Sequence, residues 1–302
     1  MAERYLITGA TGFVGGHLAE ACAARGVQVH TIARPTSDTA LLDKLGAVIH
    51  RGDLTDAAIV HQAAAQADVL VHCAAKVGDT GSLEEYRAVN VEPLRQLLEA
   101  VRGRPLRRFV HISSLGVYAA RHHYGTDETE PLPDEHIDGY TQTKVEAERL
   151  ALEYHQRFAI PVVVLRPGFI YGPRDRTVLP RIIRKLREGK VHYLGGAERA
   201  LNTIYVGNLV QAIFLAIEVP RSVGQVYNLT DGERVTKRRF FEAIARGLDL
   251  PPPHDRLPRW LAPGVAAVLR WQGRRAVRLG RKPWLSPAQH KFLLLNLDFS
   301  IA

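Results

Sequence analysis

A chain of 302 residues that is 46% hydrophobic and 24% charged has enough apolar material for a buried core, which excludes a largely disordered protein. The start lacks a basic segment followed by an apolar stretch, and no run of about 18 apolar residues occurs, so we expect neither a secretory signal nor a membrane-spanning helix. The cysteines, Cys22 and Cys73, cannot form a disulfide framework and lack metal-ligand spacing, which predicts a cytoplasmic protein without a metal site.

Short β-branched and apolar runs alternate with helix-like stretches through the first two-thirds of the chain. This alternation is typical of a parallel sheet covered by helices on both faces. The predicted strands are Arg4–Thr8, Val27–Ala33, Ala47–His50, Asp68–Cys73, Arg108–Ser113 and Pro161–Arg166. The predicted helices follow the first strand and then span 55–66, Leu83–Arg102 and Thr141–Phe158. We therefore predict an α/β fold, a Rossmann-type doubly wound parallel sheet with a smaller C-terminal substrate lobe.

A glycine-rich loop, Thr8–Gly15 (TGATGFVG), lies between the first predicted strand and the first helix. Glycine backbones can turn sharply and approach a pyrophosphate, and the positive end of the following helix dipole favours phosphate charge. This context predicts a dinucleotide site, with a tight βα turn that binds nothing as the alternative. The residues expected to contact the cofactor here are Gly9, Thr11, Gly12, Phe13, Val14 and Gly15.

Tyr140 and Lys144 stand four residues apart at the start of a predicted helix, which puts the phenol and the ammonium on one face. A free tyrosine has a pKa near 10 and is a poor acid or base at neutral pH. We expect the Lys144 charge to favour the phenolate and to lower the pKa of Tyr140 toward a useful range. The pair predicts general acid–base chemistry.

The G-x-x-G-x-x-G spacing of the loop resembles that of the short-chain dehydrogenase/reductase superfamily, and TGATGFVG resembles its extended branch, the epimerase/dehydratase enzymes. The segment Ser113–Tyr118 is similar to the S-S-x-x-V-Y pattern of that family, in which the second serine is catalytic, so the resemblance assigns Ser114 to the site. It also implies that Lys144 holds the nicotinamide ribose, and that helices Leu83–Arg102 and Thr141–Phe158 pair in a homodimer. The further cofactor contacts that it implies are Asp53 and Leu54 near the adenine, Ala74, Ala75 and Lys76 after the fourth strand, and Pro167 and Ile170 near the nicotinamide.

The end of the second predicted strand bears on the choice of nicotinamide cofactor. An acidic residue there would bind the ribose 2′-hydroxyl of NAD, whereas an arginine suits the 2′-phosphate of NADP. The strand runs into Arg34, and no acid follows before Asp38. We therefore favour NADP(H) with Arg34 as the phosphate partner, while NAD(H) remains open because Arg34 could instead stack on the adenine.

Two segments bear on the substrate. Nucleotide-sugar epimerases and dehydratases of the family usually carry an asparagine three residues after the arginine of the sixth strand, where this chain has Phe169. Phenylalanine cannot donate a hydrogen bond to a diphosphate. Arg166–Pro173 and Asn202–Asn208 instead resemble the 3β-hydroxysteroid dehydrogenase-like branch, which implies hydride transfer to or from a fairly apolar secondary alcohol or ketone. A nucleotide-sugar epimerase or dehydratase is the alternative, and a non-catalytic NADP-binding regulator is a third reading.

The predicted domain division places a dinucleotide-binding domain at 1–167, to which 206–230 returns, and a substrate-binding lobe at 168–205 and 231–302. The segment 256–297 contains nine lysines or arginines and no acid, and accounts for the whole net charge of +9. No nucleic-acid motif accompanies these basic residues, so we expect no nucleic-acid partner. The apolar stretch 260–271 could contact an anionic membrane peripherally, or it could simply cover the core of the lobe.

Overall fold

The structure is a computed structural model that describes residues 2–78, 81–193, 196–253 and 287–301, together with residue 264. Its strands are β1 (Arg4–Thr8), β2 (Gln28–Ala33), β3 (Val48–Arg51), β4 (Val69–His72), β5 (Arg108–Ile112), β6 (His123–Thr126), β7 (Val162–Pro167), β8 (Phe169–Tyr171), β9 (Ala200–Leu201), β10 (Thr203–Tyr205), β11 (Val226–Leu229), β12 (Val235–Thr236) and β13 (Leu297–Phe299). Its α-helices are α1 (Phe13–Ala24), α2 (Ala40–Lys44), α3 (Ala57–Ala64), α4 (Leu83–Asn90), α5 (Glu92–Val101), α6 (Gly139–Phe158), α7 (Leu179–Arg187), α8 (Val206–Glu218), α9 (Lys237–Gly247) and α10 (Pro287–Leu294).

The central sheet has seven parallel strands in the order β11-β7-β5-β4-β1-β2-β3. The strand order reverses at β1, whose two neighbours are β2 and β4. In open sheets of this kind, ligands bind outside the carboxyl ends of the strands at such a switch point. The predicted Rossmann-type fold is confirmed, and its switch point lies next to the glycine loop.

Both faces of the sheet are buried because successive side chains of a strand point to opposite sides. On β1, Ile7 packs in a cluster with residues of α1 and α8, whereas Leu6 packs in a second cluster with residues of α3, α5 and α6. Each of the two residues is fully buried. This double coverage explains why strands β4, β5 and β7 are buried along their whole length.

The single long helix predicted over Leu83–Arg102 is wrong, because the chain forms two helices there. Helix α4 ends at Asn90, and α5 begins at Glu92 with Pro93 in its first turn. A proline has no backbone N–H, and its ring clashes with the carbonyl four residues earlier, so Pro93 favours the first turn of a new helix over the interior of a continuous one. The break leaves Asn90 at the end of α4, close to the loop that follows β4.

The smaller lobe consists of two-stranded sheets and a separate apolar cluster. Strand β8 pairs with β10, and β9 pairs with β12. The cluster brings Phe240 and Phe241 of α9 together with Ile182 and Leu186 of α7. Near the end of the described chain, β13 pairs with β6, and its Phe299 packs with Tyr118 in the segment that follows β5.

The apolar stretch 260–271 and most of the basic segment 256–297 fall outside the described residues, so the predictions made for them stay predictions. None of the helices in the described ranges combines the length and the hydrophobicity needed to cross a bilayer.

Candidate active site

The glycine loop crosses directly over the end of β4. Gly9 has φ +71°, a backbone conformation that residues other than glycine rarely adopt. A Cβ atom on Gly9 would lie 2.9 Å from both the Cα and the N of Ala74. The loop is closed by a hydrogen bond of 2.9 Å from the Gly12 amide to the Gly9 carbonyl. Only glycine at position 9 lets the two backbones approach this closely.

Helix α1 begins immediately after this turn, and its amino end lies at the cleft outside the carboxyl ends of β1 and β4. Its first turn carries no acidic residue, and no side chain caps it at Gly12. Thr11 and Gly12 are exposed, and a Cβ on Gly15 would collide with the Gly9 carbonyl. An uncapped helix amino end with positive partial charge is suited to a pyrophosphate. The residues present therefore fit the phosphates of a dinucleotide.

Arg34 and Asp53 lie at the carboxyl ends of β2 and β3, beyond the glycine loop. Arg34 is exposed, its carbonyl accepts a turn hydrogen bond from Ser37, and its side chain makes no ion pair with any described residue. One oxygen of Asp53 accepts hydrogen bonds from the amide and the hydroxyl of Thr55, at 3.0 and 2.9 Å. Leu54 is half-buried against the core. The predicted adenine-side residues thus share one edge of the cleft.

The segment after β4 is held by Asn90, which the sequence analysis did not single out. The buried Asn90 side chain accepts from the Lys76 amide at 2.7 Å and donates to the Lys76 carbonyl at 3.2 Å. It also donates to Thr143 of α6 at 3.0 Å. The Lys76 ammonium itself is engaged by Glu85 of α4 at 2.7 Å. Ala74 and Ala75 therefore lie along the cleft, while the Lys76 side chain is directed to α4. The sequence feature that could have identified Asn90 is a polar residue shortly before Pro93, where the proline indicates a helix break.

The two predicted catalytic hydroxyls are adjacent. Ser114 lies close enough to Tyr140 to lower the pKa of the phenol, and both residues are half-buried. The Gly116 amide donates to the Ser114 oxygen at 3.0 Å, which leaves the Ser114 hydroxyl hydrogen for a second partner. Tyr140 lies in the first turn of α6, which is capped by Asp138 through a 2.7 Å bond from the Thr141 amide.

Lys144 lies one turn further along α6, buried beneath the hydroxyls. Its ammonium donates to the Ile112 carbonyl at the end of β5, at 2.7 Å. Burial lowers the pKa of Lys144 to about 8, and the nearby charge of Glu148 partly opposes that shift. The structure thus brings Ser114, Tyr140 and Lys144 together at the carboxyl ends of the strands.

The expectation that the pKa of Tyr140 is lowered is wrong for the chain without cofactor. Burial of the phenol, with the negative charge of Asp138, raises the pKa of Tyr140 to about 12, although the neighbouring Ser114 hydroxyl works in the other direction. The physical reason is that losing water penalises the phenolate more than its surroundings stabilise it. Tyr140 is therefore protonated at neutral pH.

A buried polar network lies behind the catalytic loop. Glu148, one turn after Lys144, accepts from the Ser113 hydroxyl at 2.7 Å and from Arg166 Nε at 3.1 Å to each oxygen. Arg166 also donates to the Tyr118 hydroxyl at 2.6 Å, and that hydroxyl donates to Asn228 of β11 at 2.9 Å. The network ties α6 to β7 and to the segment that carries Ser114.

Pro167 and Ile170, predicted near the nicotinamide, lie where β7 passes into β8. Pro167 ends β7, and the half-buried Ile170 packs against the core cluster that contains α1. Phe169 between them points to the smaller lobe, where its ring lies 5.7 Å from that of Phe240 and 5.2 Å from that of Phe292. The position where nucleotide-sugar enzymes usually carry asparagine is therefore part of an aromatic cluster in this chain.

Comparison with known proteins gives consistent matches. A sequence model of the NAD dependent epimerase/dehydratase family matches residues 5–230. The 2-alkyl-3-oxoalkanoate reductase of Shewanella oneidensis is 30% identical over 87% of this chain and 70% of its own length. The 3-beta-hydroxysteroid dehydrogenase of Mycolicibacterium neoaurum is 32% identical over 99% of this chain and 83% of its own.

A solved structure with the same fold is the UDP-glucuronic acid 4-epimerase from Bacillus cereus, in complex with UDP-glucuronic acid and NAD. It superposes with a TM-score of 0.72 at 27% identity, covering 83% of this chain and 84% of that one. The glycine loop, Ser114, Tyr140 and Lys144 all lie within the residues that the family model matches.

Proposed function

The chain belongs to the NAD dependent epimerase/dehydratase family, and we propose that it transfers a hydride between NADP(H) and a fairly apolar secondary alcohol or ketone. Membership confirms the resemblance predicted from the sequence, and the named reductase and dehydrogenase relatives support an oxidoreductase that uses a nicotinamide cofactor. The observation that carries the proposal is that Ser114 lies beside Tyr140, while the buried Lys144 lies one turn further along the helix that carries Tyr140.

A dinucleotide held by the glycine loop and Lys144 would supply, in the reductive direction, the hydride for the carbonyl carbon. The Ser114 hydroxyl donates a hydrogen bond to the carbonyl oxygen and so polarises it. Tyr140, protonated at neutral pH, gives its proton to that oxygen as negative charge develops there. The Lys144 cation then stabilises the phenolate that remains. In the oxidative direction the same groups act in reverse.

An apolar substrate is supported by the surroundings of Phe169. Its ring packs with those of Phe240 and Phe292 in the apolar cluster of the smaller lobe, where Phe169 and Phe292 are only partly buried. A sugar diphosphate would need hydrogen-bond donors at a position that Phe169 fills with a hydrocarbon ring. The second candidate function is transient redox chemistry on a nucleotide sugar, because a solved structure with the same fold is an epimerase.

The preference for NADP(H) rests on Arg34, an exposed cation directly after β2. Because hydrogen bonds to charged groups contribute about 1.5–3 kcal/mol, Arg34→Ala should raise the KM for NADPH roughly 10- to 100-fold and leave the KM for NADH nearly unchanged. Arg221→Ala is the matched control, since this exposed arginine lies in the 3-10 helix between α8 and β11. An equal effect of Arg34→Ala on both cofactors would contradict the proposed phosphate contact.

A homodimer and a cytoplasmic location complete the proposal. The homodimer would use the outer faces of α4 and α6, which Arg87 and Glu146 join to each other and where Val89 is left 42% exposed. The reducing cytoplasm suits the two cysteines, which are both free. Light scattering of the purified chain would test the dimer, and a monomeric mass would contradict it.

The test of the proposed function follows nicotinamide absorbance with NADPH or NADH against keto steroids, β-keto acyl compounds and nucleotide sugars. Net consumption of NADPH with an apolar ketone is the expected result. An isomerised nucleotide sugar without net cofactor consumption would overturn the proposal in favour of epimerase chemistry.

A further inference from the structure

Lys291 of α10 brings a positive charge from the smaller lobe to the catalytic loops. Its ammonium donates to the Gly116 carbonyl at 3.3 Å and lies 3.9 Å from an oxygen of Asp138. Gly116 follows Ser114 by two residues, and Asp138 precedes Tyr140 by two residues. The cation therefore lies between the two segments that carry the catalytic hydroxyls.

This ammonium has hydrogen-bonding capacity to spare. It has three N–H donors, and among the described residues its polar contacts are one long hydrogen bond and one ion pair at the outer limit of distance. The other oxygen of Asp138 is occupied by the amide and the hydroxyl of Thr141, at 2.7 and 2.8 Å. The Lys291 side chain is only 14% exposed, and burial lowers its pKa. The N–H donors that these two contacts leave unused suit an anion.

The position of Lys291 is fixed by its helix. The buried Lys237 ammonium donates to the Leu293 and Leu295 carbonyls, at 2.8 Å each, and Arg199 donates to the Leu294 carbonyl. Cations at the carboxyl end of a helix satisfy its last carbonyls and complement its dipole. Lys291 thus extends from an anchored helix rather than from a loose chain end.

The next residue, Phe292, faces the aromatic cluster. Its ring lies 5.2 Å from that of Phe169 and 6.1 Å from that of Phe241. The helix therefore directs Phe292 to the aromatic cluster of the lobe and Lys291 to the segments that carry Ser114 and Tyr140. A ligand that matches this arrangement has an apolar body and one negative charge near its reacting oxygen.

We propose that Lys291 binds a carboxylate of the substrate, so that the substrate class is an oxo or hydroxy carboxylic acid with an apolar chain. The inference rests on the proposed function and deepens it. A monoanion is favoured over a phosphate because the site offers a single lysine, whose charge is already partly offset by the Asp138 carboxylate. One lysine in this position cannot balance the charge of a dianion. A neutral ketone of the same shape would leave the unused donors of the Lys291 ammonium without an anion.

The test compares a 3-hydroxy fatty acid with its methyl ester in the oxidative direction, with NADP⁺. For Lys291→Met, loss of a charge-assisted hydrogen bond should raise the KM for the acid roughly 10- to 100-fold and leave the KM for the ester within about twofold. Lys291→Arg should retain most of the preference for the acid. Lys185→Met, which removes an exposed lysine of α7, is the matched control and should change neither KM.

Binding of dodecanoate to the chain with NADP⁺, measured by calorimetry, gives a readout that does not need turnover. Wild type should bind dodecanoate more tightly than dodecanol, and Lys291→Met should remove that difference. If Lys291→Met raised the KM for the acid and for the ester equally, Lys291 would only fasten α10 to the core. That result would overturn the inference while the proposed function stands. Turnover of neither compound, together with no preference for dodecanoate, would overturn both.

Discussion

Burial moves the pKa values of Tyr140 and Lys144 in opposite directions, because it penalises a phenolate in one case and an ammonium in the other. The pKa of Tyr140 rises to about 12, and that of Lys144 falls to about 8. Over the neutral range the tyrosine therefore holds its proton and the lysine its charge. This is the combination that a proton donor with a cationic neighbour needs for carbonyl reduction.

The first prediction concerns the pH dependence of reduction. Below a pH of about 8 the Lys144 ammonium is charged and kcat/KM should be constant, whereas above it the ammonium loses its proton and kcat/KM should fall. The pH profile of kcat/KM with NADPH and an apolar ketone is the measurement. Lys144→Arg keeps its charge and should lack this alkaline limb even if its rate is lower. A wild-type profile that stays flat two units above the Lys144 pKa would contradict the assigned role.

At the scale of the elements, the cleft depends on the contact between the glycine loop and the end of β4. Gly9 and Gly26 have nearly the same backbone conformation, with φ +71° and φ +72°. A Cβ at Gly9 would meet Ala74, whereas a Cβ at Gly26 would meet no heavy atom within 4 Å. Substituting alanine at the two positions therefore distinguishes the effect of backbone strain, which both share, from the effect of the contact with Ala74, which only Gly9 makes.

The second prediction uses this pair. Gly26→Ala should lower the free energy of unfolding by about 1–2 kcal/mol, the cost of a left-handed conformation with a Cβ, and Gly9→Ala should lower it further because its Cβ would also meet the Ala74 backbone. Only Gly9→Ala should also weaken NADPH binding, by about 1.4 kcal/mol or more, which is roughly tenfold in Kd. Denaturant unfolding and fluorescence titration measure the two quantities. Equal Kd values for both variants would show that the loop does not form the phosphate site.

Helix α6 and strand β7 are joined by the buried pair of Glu148 and Arg166, whose side chains are 1% and 5% exposed. The pair lies one turn below Lys144 and also holds Ser113. Removing one member would leave the other charge buried without its counterion. The pair thus maintains the geometry of the catalytic segments without touching the substrate.

The third prediction follows from that burial. Glu148→Gln should lower the free energy of unfolding by about 3–5 kcal/mol. Glu153→Gln removes the exposed partner of Arg157 on the same helix and should cost no more than about 0.5 kcal/mol. Denaturant unfolding of both variants compares them directly. Similar losses would contradict the view that burial makes the first pair structurally important.

Across the whole molecule, features encoded by local patterns could be predicted from the sequence. The strand pattern and the glycine loop gave the fold, because periodicity and turn chemistry are local properties. The break at Pro93 was missed, although the proline itself signals it. Lys291 and the raised pKa of Tyr140 could not be predicted, since both depend on which distant segments pack together. Lys291 reaches Gly116 only because α10 folds back across the cleft.

The central claim is that Tyr140 is the proton donor in a net hydride transfer, and Tyr140→Phe tests it most directly. The variant removes one oxygen from a half-buried ring and leaves the glycine loop and Lys144 in place. Because a positioned acid contributes about 10²–10⁴-fold, kcat for an apolar ketone with NADPH should fall by that factor, with Kd for NADPH within about twofold of wild type. Full turnover by Tyr140→Phe would contradict the account.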